Sequence, residues 1–127
     1  MTGRASREKG ARGERDVCAK LHQHLGIKFC RNLKQYQQAQ HGDIEPLAGP
    51  YLLEVKNQAR LCIPEWWRQI CKAAHAKGAL PCLVYKDRGK WWFMVPMDEA
   101  SAPWHSDHHY TATLSLVGFC LRVREQM

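Results

Sequence analysis

The stretch Tyr51-Leu52-Leu53-Glu54-Val55-Lys56-Asn57-Gln58 is the most apolar strand-like run of the chain, and it carries two opposite charges in its middle. Strand alternation puts Glu54 and Lys56 on one face and Leu53 and Val55 on the other. Charged groups are seldom buried without partners, because an isolated carboxylate in apolar surroundings costs several kcal/mol or more. A salt bridge between Glu54 and Lys56 is the simplest account. It leaves unexplained a third charge, Asp43, which the chain places on a preceding short strand, across an expected hairpin from Glu54.

Two adjacent carboxylates repel each other unless one is protonated or a cation lies between them. A hard divalent ion such as Mg²⁺ resolves the conflict by taking oxygen ligands from both. Such an ion polarises a phosphate and lowers the pKa of a bound water, and Lys56 is placed to orient that water or balance developing charge. Glu14 adds a third carboxylate from the first helix. Glu45, on the same strand face as Asp43 by alternation, is a rival ligand.

The rest of the chain frames these residues. The spacing of Val17, Leu21 and Leu25 predicts a helix over 6–25, with Ser6 as N-cap, Gly26 as C-cap and Glu14 near its inward edge. A short strand over 27–32 leads into the polar stretch 33–43, read as a loop. Asp43-Ile44-Glu45-Pro46 begins a second short strand, and Ala48-Gly49-Pro50 turns it back into 51–58. Pro64 opens a helix that Gly78 closes. Residues 79–86 and 91–96 form a hairpin about Asp87-Arg88-Gly89-Lys90. Residues 97–110 read as loop, and 113–125 as a final strand, or a short strand with an irregular tail. The order is α-β-β-β-α-β-β, a mixed α/β domain over 1–127 in which 97–127 is a C-terminal extension without an assigned place.

Length and charge agree with one such domain. The chain has 127 residues, and its 19 Lys and Arg exceed its 12 Asp and Glu by 7, a surplus that suits a polyanionic partner. No stretch approaches the roughly 20 apolar residues of a membrane span, and the charged N-terminus lacks the apolar centre of a signal peptide, so a cytoplasmic protein is expected. The 6 cysteines form no C-x-x-C pair, which argues against a zinc knuckle and for reduced, mostly buried thiols.

The residues Gly13-Glu14-Arg15, Gly42-Asp43 and Glu54-Val55-Lys56 together resemble the PD-(D/E)XK nuclease superfamily. Within it, Lys9-Gly10-Ala11-Arg12-Gly13-Glu14-Arg15 is similar to the opening helix of Holliday junction resolvase-like proteins, including small phage-encoded ones. The resemblance runs from residue 4 to about 96. It implies a restriction-endonuclease-like α/β fold, a mixed sheet flanked by helices, and hydrolysis of DNA with Mg²⁺ or Mn²⁺. It implies Asp43, Glu54 and Glu14 as metal ligands, Lys56 as the catalytic lysine, and Gln69 as a glutamine aimed at the site. Gly42 stands where the superfamily's motif has proline. Branched DNA such as a four-way junction is the implied substrate, and symmetric cutting of it needs two sites, hence a homodimer.

Around this site, Arg4, Arg7, Lys9, Arg12 and Arg15 form a basic helix face that suits phosphates but reads equally as a solvated face. Arg31, Asn32, Lys34 and Gln35 open the polar loop beside the site and are candidate DNA contacts. Trp66, Trp67, Trp91 and Trp92 read as core or dimer packing rather than base-stacking platforms. The cluster at His105, Asp107, His108 and His109 matches no zinc spacing and reads as a solvated loop. Three alternatives remain open: a nuclease of nicking, flap or restriction type, a DNA-binding accessory protein without turnover, and a protein-interaction module in which Glu54-Val55-Lys56 is accidental.

Overall fold

A computed structural model describes residues 3–32, 42–100 and 102–127. Helix α1 spans Gly3–Leu25 and buries Gly13, Glu14, Val17, Cys18 and Leu21. It begins ahead of Ser6, which therefore lies inside the helix rather than capping it. Gly26, at φ +72°, ends it by donating its N–H to the carbonyl of His22.

The strand expected over 27–32 is reduced to β1, Cys30–Arg31, which pairs antiparallel with β2, Ile44–Glu45. The expected hairpin between β2 and β3, Tyr51–Lys56, does not form. Ala48 and Tyr51 close a tight bridge on themselves, and β1 takes the ladder positions of β2. The 42–43 segment still runs along the free edge of β3, where Asp43 donates its N–H to the carbonyl of Leu53.

A four-stranded sheet of order β3-β4-β5-β6 forms the centre, with β4 at Leu80–Asp87, β5 at Lys90–Pro96 and β6 at Thr111–Leu114. Strands β3 and β4 are parallel and joined by α2, Ile63–Lys77, whereas the β4–β5 and β5–β6 pairs are antiparallel. Pro64 in its first turn and left-handed Gly78 at its end bound α2, as the sequence predicts. The chain from 111 to 125 differs from expectation. After β6, Ser115 caps α3, Leu116–Glu125, by accepting from the N–H of Gly118. Leu116, Phe119, Cys120 and Val123 have the i, i+3, i+4, i+7 spacing of one apolar helix face, and that periodicity overrides the strand preference of the individual residues.

Helices therefore cover both faces of a mixed sheet, as the fold class anticipated. On one face, Val17 and Leu21 of α1 and Phe119 and Val123 of α3 pack on Leu53, Val55, Cys82, Val84, Phe93 and Val95. Phe119 stacks on Phe93 at 4.6 Å between ring centroids. On the other, Trp66, Trp67, Ile70, Cys71 and Ala74 of α2 cover Leu52, Leu83, Tyr85 and Met94. All 6 cysteines are free, and burial pushes the Cys18 thiol up to about 11 and Cys71 up to about 12. No helix among the described residues is long and apolar enough to cross a membrane.

Two glycines of α1 make opposite demands. A Cβ on Gly10 would meet nothing within 4 Å, whereas one on Gly13 would lie 2.8 Å from Asn57 Cβ and 3.2 Å from Trp91 Cη2. Gly10→Ala should stabilise the fold by about 0.5–1 kcal/mol through helix propensity alone. Gly13→Ala should destabilise it by about 1–3 kcal/mol through overpacking. Thermal melts of the pair measure this contrast, and equal shifts would mean that α1 does not approach the sheet this closely.

Candidate active site

The site is assembled where α1, the β2 entry and β3 converge. Glu54 and Lys56 extend from the face of β3 that α2 covers, opposite to Leu53 and Val55, as alternation requires. The Lys56 ammonium lies 3.6 Å from Glu54 Oε1 and 5.8 Å from the centroid of the Trp66 ring, an ion pair and a cation–π contact together. These partners hold a lysine that is only 20 % exposed.

Asp43 reaches the same point from the β3 edge. Its Oδ2 accepts from the Val55 N–H at 2.7 Å, and its own N–H donates to Leu53 at 2.9 Å, so backbone and side chain together replace a missing ladder neighbour. Asn32 donates its N–H to the Asp43 carbonyl at 2.8 Å, which adds a third anchor. Asp43 is 7 % exposed, and a hydrogen bond joins its carboxyl to that of Glu54. Burial, then the Glu54 charge, raises the Asp43 carboxyl well above the ordinary carboxylate range. Burial also raises Glu54, which the Lys56 charge partly offsets. The two acids thus hold a shared proton to higher pH than free carboxyls do.

Glu14 comes in from α1, buried, with the Arg31 guanidinium Nε 2.8 Å from its Oε2. Its charge acts on both Asp43 and Glu54. Among the described residues, the cluster is three carboxylates with two cations, Arg31 and Lys56, a surplus of negative charge in a mostly buried place. A hard divalent cation matches that donor set of carboxylate oxygens, and Asp43, Glu54 and Glu14 are the residues that could hold it.

Two hinges set the approach of α1, and sequence reasoning missed both. Asn57, directly after the charged strand, donates from Nδ2 to the Lys9 carbonyl at 3.0 Å, and Trp91 donates from Nε1 to Asp16 at 2.6 Å. The signal for the first was an amide side chain at the strand's end, one step beyond Glu54-Val55-Lys56. Gly13 permits the contact by leaving room for Asn57 and Trp91.

The other anticipated residues divide clearly. Glu45 is exposed and sits opposite Cys30, so Asp43 rather than Glu45 meets Glu54. Arg31 lies on Glu14, and Asn32 is 6 % exposed with its N–H on the Asp43 carbonyl, so both belong to the frame of the cluster. Lys34 and Gln35 lie outside the described residues. Arg4, Arg7, Arg12 and Arg15 are exposed on α1, with Arg4 paired to Glu8 at 3.1 Å, and Lys9 is half-buried. Gln69 is exposed on α2, one turn beyond Trp66 and therefore on the helix edge nearest Lys56. Trp66, Trp67 and Trp91 are buried, whereas Trp92 is half-buried. Asp107, His108 and His109 bring ligand atoms within 4.8 Å of one another. Asp107, though, caps the short 3₁₀ turn by accepting from the His109 N–H at 2.9 Å, and that bond and one to the His109 ring hold its carboxyl low.

Compared with known proteins, residues 5–124 match the model of a family described as "Phage putative PDDEXK endonuclease". No curated protein and no solved structure matches the chain.

Proposed function

Because the chain belongs to the phage PDDEXK endonuclease family, within the PD-(D/E)XK superfamily, we propose that its carboxylate–lysine cluster hydrolyses DNA phosphodiester bonds with the help of a divalent cation. One observation carries the reading above all: buried Asp43 lies against half-buried Glu54, both with raised protonation, beside a lysine fixed over Trp66. A purely structural ion pair would not bring a second, buried carboxylate against the first.

Asp43, Glu54 and Glu14 would hold Mg²⁺ or Mn²⁺, both of which suit oxygen ligands. When bound, that ion polarises the scissile phosphate and favours ionisation of a nearby water. Asp43 is prepared for the task by its three backbone anchors, which fix its carboxylate before any ligand arrives. Asp43, which burial and the Glu54 charge keep protonated to higher pH, would give up its proton to serve as a ligand, so cation binding would release a proton to solvent. Lys56 then exchanges its Glu54 contact for the attacking water or a phosphate oxygen and balances the charge that develops there. Arg31 orients Glu14 through its guanidinium contact, and Gln69 is exposed on α2. The exposed Arg4, Arg7, Arg12 and Arg15 offer phosphate contacts along the flanking duplex.

We take branched DNA, a four-way junction first, as the substrate, and a two-fold homodimer as the cutting assembly. The Lys9-Gly10 to Glu14-Arg15 helix supports the first. Exposed Val117 and Leu121, one turn apart on α3, offer an apolar surface for the second. The test is cleavage of labelled four-way junction, nicked duplex and linear duplex with Mg²⁺ or Mn²⁺, beside Lys56→Ala. Paired symmetric cuts confined to the junction are expected, removed by chelation and slowed about a hundredfold or more in Lys56→Ala. Equal cutting of all three substrates would discard the junction and keep the nuclease. Tight binding without cutting would make this an accessory protein.

A further inference from the structure

We propose that an open cleft at the ends of β4, β5 and β6 binds unpaired nucleotides of the substrate, with Trp92 as the surface on which a base stacks. The inference rests on the nuclease reading for its substrate and on different residues for its evidence. The cleft has a volume of about 580 Å³ and is lined by Tyr85, Asp87, Arg88, Lys90, Trp92 and Thr113.

The sheet places this cleft on the same face as Glu54 and Lys56. Lys56 pairs with Tyr85 across the parallel β3–β4 ladder, and Tyr85 pairs with Trp92 across the antiparallel β4–β5 ladder. Residues directly opposite each other share a sheet face. Lys56, Tyr85 and Trp92 therefore form one row, in which Trp92 stands two strands from β3, roughly 10 Å away.

The chemistry of the row suits a single strand. Among the tryptophans of the sheet and α2, Trp66, Trp67 and Trp91 are buried, whereas Trp92 is half-buried at an open edge. The Tyr85 hydroxyl hydrogen-bonds with Thr113, which holds the second aromatic wall in place. Arg88 and Lys90 supply two cations at the rim against one carboxylate, Asp87, which faces Lys90 in the ladder. Arg88 keeps a left-handed φ of 53° beside Gly89 at φ 79°, the hairpin turn in which asparagine or glycine would fit with less strain. An arginine there spends that strain on a guanidinium at the cleft. Aromatic faces bordered by cations bind bases with little regard to sequence, but only bases free of their duplex stack. Duplex DNA would use the cations alone.

The experiment is fluorescence anisotropy of three labelled DNAs in chelator: a single strand, a blunt duplex, and the duplex with a single-stranded overhang. Trp92→Ala, Trp92→Phe and Arg88→Ala are compared with the parent, each checked by thermal melting. Trp92→Ala should weaken the single strand and the overhang about tenfold, the loss of one base–aromatic stack. The blunt duplex should change by no more than about twofold, because phosphate contacts dominate it. Trp92→Phe should keep most of the affinity, and Arg88→Ala should flatten its salt dependence. Equal losses on all three DNAs, or none, would overturn the cleft, and if Trp92→Ala fails to fold, a Trp92→Phe protein that binds single strand and duplex alike decides the same question. Cleavage by the parent separates the two readings. Cutting without a Trp92 effect removes only the cleft, and a Trp92 effect without cutting removes only the nuclease.

Discussion

Asp43→Asn is expected to lose DNA cleavage by roughly a thousandfold, and in the absence of divalent ions to melt at a higher temperature than the parent. The first half follows from the ligand role. Lewis-acid stabilisation of a phosphoryl transition state is worth several kcal/mol, and about 1.4 kcal/mol is tenfold in rate. The second half follows from linkage. In the unfolded chain both acids ionise near pH 4. In the fold, burial and mutual repulsion raise Asp43 and Glu54, so the native state holds more protons than the unfolded one above that pH. Their contribution to stability is therefore fully present below about pH 4 and is lost as pH rises through the raised folded values. At neutral pH the metal-free cluster is a liability.

An asparagine removes one of the repelling charges and still offers an oxygen to the Val55 N–H. A gain of about 1 kcal/mol would move the melting temperature by about 4 °C for a domain of this size. Mg²⁺ should raise the melting temperature of the parent at pH 7 and do so less at pH 5, since protons compete for the same oxygens. It should leave Asp43→Asn nearly unmoved. A variant that melts lower than the parent at pH 7 without metal would show that the carboxylate stabilises the fold, and the cluster would then be a structural ion network.

The second large effect is expected at Gly42. A Cβ there would lie 2.7 Å from Leu52 Cδ1 and 2.8 Å from the Leu53 carbonyl oxygen, and the latter is backbone of β3 and cannot rotate away. Gly42→Ala should cost about 2 kcal/mol, or about 8 °C in melting temperature. The shift passes straight to Asp43, whose N–H and carboxylate both bond to β3 within two residues of the clash. Cleavage should fall more than about tenfold, since displacement of a catalytic group by about an ångström is costly. Full activity and an unchanged melt in Gly42→Ala would mean that the chain does not run this close to β3. The same contact gives a physical reason for glycine in place of the motif proline: here Gly42 itself lies against the strand that carries Glu54 and Lys56.

The chemistry was legible in the sequence because it sits where composition is least expected. Glu54 and Lys56 interrupt an apolar run, and alternation alone places them on one face. Helix α1, helix α2 and the β4–β5 hairpin carried local signals as well: apolar spacing, Pro64 and Gly78, and the Arg88-Gly89 turn. Helix α3 was missed because Val, Phe and Cys suggest strand residue by residue, while the four-residue apolar spacing that decides for helix becomes clear only against the partners Tyr51 and Phe93.

Other features depend on contacts between segments far apart in the chain, and there local pattern has no voice. Two-residue strands such as β1 and β2 have too few positions to specify a partner, so the choice of β1 over β3 as the mate of β2 fell to the packing of the whole. The distinction between Asp43 and Glu45 required knowing which carboxyl is buried against Glu54. Arg31 and Asn32 look like free polar loop residues until Glu14 and Asp43 are brought beside them. The sequence by itself marked out Glu54 and Lys56 as candidates for chemistry, because charge inside an apolar strand is costly and persists only with partners. Tertiary structure alone decided which of those groups meet, since burial, mutual repulsion and backbone anchors act between atoms that only the fold brings within reach.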